Sequence, residues 1–185
     1  MDNTVCFLAI DPSIASTGLS VLSMTEDNKF ILHYKTSISL KRTNVVDKTK
    51  FKKKYDMFGL FYFALSHIIN ELGHKIHFAV FEDYSYGSIG HLAHLGELNG
   101  MYKFELTRLG IEFDVIAPAS VKKVVGGSGR ADKKMVASKL KDFVLNLDNF
   151  TFNNNDETDS VAVGIAYCLN MMKAINEPSE DTDED

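Results

Sequence analysis

Three segments with strand character open the chain, and no helical period separates them. Val5 to Ile10 is an unbroken apolar run closed by Asp11-Pro12. Gly18 to Met24 and Lys29 to Thr36 follow, joined by the turn-like Thr25-Glu26-Asp27-Asn28. Strands in immediate succession pair as an antiparallel meander. Beyond residues 41–54, a basic polar connection, the pattern alternates. A helix is expected from Tyr55 to Leu72, with Phe58, Phe61, Leu65 and Ile68 or Ile69 on one face, and then a strand from His77 to Phe81 ending at Glu82. The spacing predicts a second helix from Ile89 to Leu109, with Leu92, Leu95, Tyr102 and Leu109 as its apolar stripe, and a short strand from Glu112 to Ile116. Helices at Ala131 to Leu145 and Asp159 to Ile175 complete the order βββαβαβαα; the last keeps Val161, Ile165, Leu169 and Met172 at helical spacing. Such an order implies an α/β fold, a mixed five-stranded sheet with helices on both faces.

The length suits one compact domain, 1–176, followed by a tail, 177–185, that holds six carboxylates, no base and no apolar residue. The tail is expected to be disordered and solvated; mimicry of nucleic-acid charge is the alternative. It also distorts the net charge of −5, which turns slightly positive without it. No apolar stretch approaches the ~20 residues of a membrane span. The first residues carry no basic segment, so no secretion signal is read. Cys6 and Cys168 both lie in apolar segments, which suits buried thiols in a reducing, cytoplasmic compartment.

Four acidic residues stand where predicted elements end. Asp11 closes the first strand, Glu82 closes the fourth, and Asp156 and Asp159, three apart, share one face at the start of the last helix. Each has a plain alternative: a helix cap for Asp156 or Asp159, a turn for Asp11, a lysine partner for Glu82. Together, at the strand ends where α/β folds gather ligands, they suggest a cation site. Oxygen donors suit Mg²⁺ or Mn²⁺, and two such ions, about 3.5–4 Å apart, serve phosphodiester hydrolysis. The His74/His77 and His91/His94 pairs make a poor case for zinc.

These residues lie within longer motifs. Ala9-Ile10-Asp11-Pro12-Ser13 with Ser16-Thr17-Gly18 resembles the opening strand and turn of the RuvC-type Holliday-junction resolvases. Phe81-Glu82-Asp83 is similar to their second acidic position, and Asp156-Glu157-Thr158-Asp159-Ser160-Val161-Ala162 to their closing helix start. Between these, Ala117-Pro118, Val121-Lys122, Gly126 to Gly129 and Ala131-Asp132-Lys133 follow the family's order. Within the family the chain looks most like the divergent resolvases carried by bacteriophages. The resemblance implies an RNase H-like fold, a homodimer acting on four-way branched DNA, and hydrolysis with two Mg²⁺ ions held by Asp11, Glu82, Asp156 and Asp159. It implies contacts from Lys122 and Lys133 to the DNA backbone, and a dimer interface that includes the helix Ile89 to Leu109. No membrane or small-molecule cofactor is implied.

Two departures bear on junction selectivity and cutting-sequence preference. Segment 41–54, with seven bases, has no close counterpart in the cellular enzymes, and Ser85, flanked by Tyr84 and Tyr86, stands where those enzymes carry a stacking aromatic residue. Tyr84 and Tyr86 are base-stacking candidates or loop packing. Segment 122–141 also holds seven bases, among them Arg130 and Lys134, suited to phosphate contact or to a solvated face. Its glycine run lets backbone amides approach a phosphate. Three other readings remain open: a broader branched- or flap-DNA nuclease, a catalytically silent DNA-binding module, and an ATPase with a phosphate loop at Asp11 to Gly18.

Overall fold

A computed structural model describes residues 5–39, 50–71, 76–83 and 92–176. Strands β1 (Cys6–Asp11), β2 (Ser16–Met24) and β3 (Phe30–Ser39) form the meander. Helix α1 (Lys50–Glu71), β4 (Ile76–Glu82), α2 (Leu92–Arg108) and β5 (Glu112–Ile116) follow. Three helices close the chain: α3 (Pro118–Gly126), α4 (Lys133–Lys139) and α5 (Asn155–Asn176). The sheet order is β3-β2-β1-β4-β5; β1 pairs antiparallel with β2 and parallel with β4, and β5 joins β4 in parallel. The expected mixed five-stranded sheet is therefore present.

Central β1 is buried on both faces, which is why it reads as one apolar run rather than an alternation. Its odd residues Phe7 and Ala9, with Leu22 and Val80, pack towards α5, α3 and α4. Its even residues Leu8 and Ile10, with Leu19, Val21 and Phe81, pack towards α1 and α2. Helix α5 is buried without interruption from Ser160 to Ala166. It lies so near the sheet that a Cβ on Gly164 would come within 2.9 Å of the Phe7 ring and 3.0 Å of Ala9 Cβ.

Several expected elements differ. Helix α3 falls in a stretch that the sequence reading leaves as a connection. Pro118 occupies its first turn, where no amide donor is needed, and Val121 and Val125 are its buried residues. The helix expected from Ala131 to Leu145 is an α-helix only over Lys133–Lys139, then a 3₁₀ turn, Leu140–Asp142. Tertiary pairing ends it: Phe30 N–H donates to the Phe143 carbonyl, Leu145 N–H donates to the Phe30 carbonyl, and the Asn146 amide bonds both backbone groups of Leu32. Helix α5 begins at Asn155, not Asp159. The buried stripe of α2 runs through Leu98, Tyr102 and Leu106, whereas Leu92 and Leu109 are exposed. Cys6 and Cys168 are buried and form no disulfide with each other, and burial pushes the Cys168 thiol up to about 12. Among the described residues no helix is long and apolar enough to cross a membrane. Tyr84, Tyr86, His74, His91, residues 41–49 and the acidic tail lie outside the described residues.

Candidate active site

Parallel pairing sets Ile10 beside Phe81, so the next residues, Asp11 and Glu82, end adjacent strands side by side. Neighbouring strands run about 4.8 Å apart, and side chains alternate between faces. Ile10 and Phe81 belong to the α1/α2 face, which directs Asp11 and Glu82 towards the α5 face. The first turn of α5 arrives at the same edge. Opposite Asp11 in the β1–β2 ladder stands Gly18, and a Cβ there would lie 1.9 Å from the Asp156 carbonyl oxygen. Only bare backbone lets the helix start this close to the sheet.

Asn154 and Glu157, not the aspartates, cap α5. Asn154 Oδ1 accepts from Glu157 N–H at 3.1 Å, and Glu157 Oε2 accepts from Asn153 N–H at 2.8 Å, a variant of the capping box. Asp156 and Asp159 are thus released from the capping role that sequence alone leaves open. Asp156 instead accepts a short hydrogen bond from Ser16 Oγ at the start of β2, and Asp159 pairs with the Lys133 ammonium. Lys133 is delivered by the turn after α3. Gly127 ends that helix at φ 81°, a Cβ on Gly126 would lie 2.4 Å from Ala131 Cβ, and the Asp132 side chain caps α4 through Met135 N–H.

The electrostatics tie the four acids together. Burial, then the charges of Glu82 and Asp159, push Asp11 up to about 8; Lys133 opposes this and Asp156 adds to it. Glu82 is also raised, by burial first and then by Asp159, with Lys133, a hydrogen bond with Asp11 and Lys122 working the other way. Burial disfavours the charge on Lys133, yet its hydrogen bond to Asp159 and the fields of Asp159, Asp11 and Asp156 raise its pKa on balance. One cluster therefore contains Asp11, Glu82, Asp156, Asp159 and Lys133, with Lys122 at its edge. Arg130 and Lys134 are exposed on the neighbouring turn and helix.

Among the described residues, no three acidic, histidine or cysteine side chains close into a ready cation cage. The donor set nevertheless fits a hard divalent cation. It is made only of carboxylates, and burial first, then the neighbouring acidic charges, raise the proton affinities of Asp11 and Glu82 despite the opposing lysines. The described histidines do not compete: His77 Nδ1 sits against the Cys6 backbone, and His94 lies beside Glu97 on the same helix.

The family model for the crossover junction endodeoxyribonuclease RuvC matches residues 7–167. The chain belongs to the RuvC family. That family comprises hydrolases acting on DNA, and the membership sets aside the ATPase reading. A RuvC of Prochlorococcus marinus is 24% identical over 165 residues, which covers 89% of this chain and 94% of that relative. Among solved structures, Thermus thermophilus RuvC superposes with a TM-score of 0.72 at 17% identity, covering 92% of this chain and 97% of the other. The yeast mitochondrial Holliday junction resolvase gives 0.62 at 18% identity, covering 94% and 83%. These structural likenesses establish the RNase H-like, RuvC-type fold.

Sequence reasoning misses three residues that build the site: Ser16 against Asp156, and Lys35 with Glu157. The Asn154-x-x-Glu157 spacing is a legible capping signal. Lys35 has none, since its partner is 122 residues away.

Proposed function

We propose that the chain is a metal-dependent resolvase of four-way DNA junctions, nicking two opposed strands as a homodimer. The observation that carries this is the convergence of Asp11, Glu82, Asp156 and Asp159 from three distant segments on one sheet edge, with Lys133 among them. The four carboxylates would hold Mg²⁺, or Mn²⁺ in its place, two ions per site, and the metal when bound supplies Lewis-acid activation of water and stabilisation of the leaving oxygen. Asp11 and Glu82 form the floor of the site, and the first turn of α5 brings the other two ligands over it. Lys133 neutralises Asp159 until a phosphate offers its ammonium a second anion. Lys122, Arg130 and Lys134 add basic side chains for the DNA backbone, and Tyr84 and Tyr86 would stack on bases.

Dimerisation is supported by apolar surface on the α2 side of the sheet. Phe104 of α2 is 67% exposed, and Leu109, just after α2, and Phe113 and Val115 of β5 are exposed as well. The buried thiols, not joined in a disulfide, fit a cytoplasmic location, which belongs to the same proposal.

The test is cleavage of a synthetic panel in Mg²⁺: four-way junction, three-way junction, flap and linear duplex. Paired nicks confined to the four-way junction are expected. Equal cutting of flaps and three-way junctions would make the chain a broader branched-DNA nuclease. Junction binding without cutting of any substrate would make it a non-catalytic module.

A further inference from the structure

Glu157 stands in sequence between the two carboxylates of α5, yet it turns away from them into the protein, where it is 3% exposed. It meets Lys35 from the middle of β3, the outermost strand on that side of the sheet. Lys35 Nζ lies 2.5 Å from Glu157 Oε2 and 2.5 Å from the Thr151 carbonyl oxygen, and 5.4 Å from the centre of the Phe152 ring. Two residues further along β3, on the same side, Ser37 Oγ accepts a hydrogen bond from Asn154 Nδ2 at 2.7 Å. Strand β3 is therefore stitched to the approach and first turn of α5 at three points, and the central stitch is an ion pair with side chains only 10% and 4% exposed.

We propose that Lys35 and Glu157 are positioning residues that set the rotation of the first turn of α5, so that Asp156 and Asp159 face Asp11 and Glu82. The inference rests on the reading of those four acids as metal ligands. In an α-helix each residue turns about 100°, so Glu157 points about 100° from Asp156 and about 160° from Asp159. Anchoring Glu157 on the far side holds the ligand-bearing side in place. Stability alone is a poor reason for the pair, because a buried ion pair is often no more stabilising than apolar side chains of similar size. Orientation is what a directional, hydrogen-bonded pair provides and an apolar contact does not. Residues that orient metal ligands without touching the metal typically account for about 10–100-fold in metal affinity.

The experiment measures Mn²⁺ binding by the DNA-free protein, read from the electron paramagnetic resonance signal of free Mn²⁺, together with junction cleavage. The main variant is Lys35→Met/Glu157→Gln, which leaves neither charge buried alone. Glu157→Gln by itself, close in shape to the original, carries the measurement if the double variant does not fold. Leu65→Ala, in α1 on the opposite face, is the control for loss of stability alone. About tenfold weaker Mn²⁺ binding in the double variant, and a shift in the same direction in Glu157→Gln, is expected while Leu65→Ala keeps wild-type affinity. Wild-type affinity in the Lys35/Glu157 variants, or an equal loss in the control, overturns the positioning role. A wild-type protein that neither binds Mn²⁺ nor cuts a junction overturns the metal-ligand reading itself.

Discussion

The two faces of the sheet are filled by different means. On the α5 face two glycines let helix and sheet close up: a Cβ on Gly18 of β2 would lie 1.9 Å from the Asp156 carbonyl oxygen at the start of the helix, and a Cβ on Gly164 of the helix would lie 2.9 Å from the Phe7 ring. Rings stack on both faces, Phe7 on Phe78 at 5.0 Å between centroids towards α5 and Phe61 on Tyr102 at 4.0 Å towards α1 and α2, but on the α1/α2 face the helix glycines Gly59 and Gly100 have nothing within 4 Å of an added Cβ. Close backbone contact fixes a helix to a fraction of an ångström, whereas large side chains can repack. The acids sit on the face whose geometry is the less negotiable of the two.

The sharpest way to break this comparison is to add one carbon on the α5 face. Gly18→Ala puts a methyl group against the Asp156 carbonyl, backbone against backbone, so the first turn must lift. Misplacement of about 1 Å can cost about 100-fold in rate, and a loss of at least that size in junction cutting is expected, with junction binding retained. A normal rate in Gly18→Ala would show that the α5 face has slack. The converse change empties the other face. Phe61→Ala should cost about 3–5 kcal/mol of folding stability by denaturant titration. The fraction that stays folded should cut at a near-normal rate, because Phe61 belongs to the core on the α1/α2 side, opposite the four acids. An equal loss of rate per folded molecule would erase the distinction between the faces.

Lys133→Ala tests the charge that the acidic edge requires. It should slow cutting by more at low salt than at high, since a phosphate contact is screened by added ions. A deficit independent of ionic strength would confine Lys133 to neutralising Asp159. On the outer surface of the opposite face, Phe104→Asp should leave the fold and the acids untouched; if the proposed homodimer forms through this surface, the change shifts it to monomer in sedimentation. A dimer that survives this change must be built from another surface.

How far the site was legible in sequence follows from the same contrast. Asp11 and Glu82 could be found because an apolar strand that stops at a carboxylate is a local signal, and the period of two then assigns them a face. Asp156 and Asp159 could be paired by helical spacing, but whether they capped the helix was open until Asn154 and Glu157 took that role. The stripe of α2 was misjudged because Leu92 and Leu109 are as apolar as buried residues, and only the position of α1 decides which side is covered. Helix α3 was missed because nine residues beginning with proline carry little periodicity. Ser16 and Lys35 act across sequence gaps of 140 and 122 residues; Ser16 lies in the opening motif but nothing there names Asp156 as its partner, and nothing local marks Lys35.

The smallest expected effect sets two carboxylates on opposite faces against each other. On the α5 face burial and like charges raise Asp11. On the other face Glu105 of α2, though 4% exposed, is lowered: a double hydrogen bond from Arg108, at 2.9 and 2.7 Å, outweighs its burial, and the guanidinium charge adds to the effect. A carboxylate that holds its proton less tightly when folded than when unfolded stabilises the fold in its ionised form. The contribution of Glu105 is therefore fully present above its unfolded value, near 4.5, and is lost as pH falls through the lower folded value. Arg108 is half exposed, so solvent screens the pair and the effect is modest. Stability of wild type and Glu105→Gln, measured by denaturant titration from pH 7 down to pH 3, should differ most at neutral pH and converge in acid. A gap that widens on acidification would mean that burial, not Arg108, governs Glu105, and the two faces would then treat their carboxylates alike.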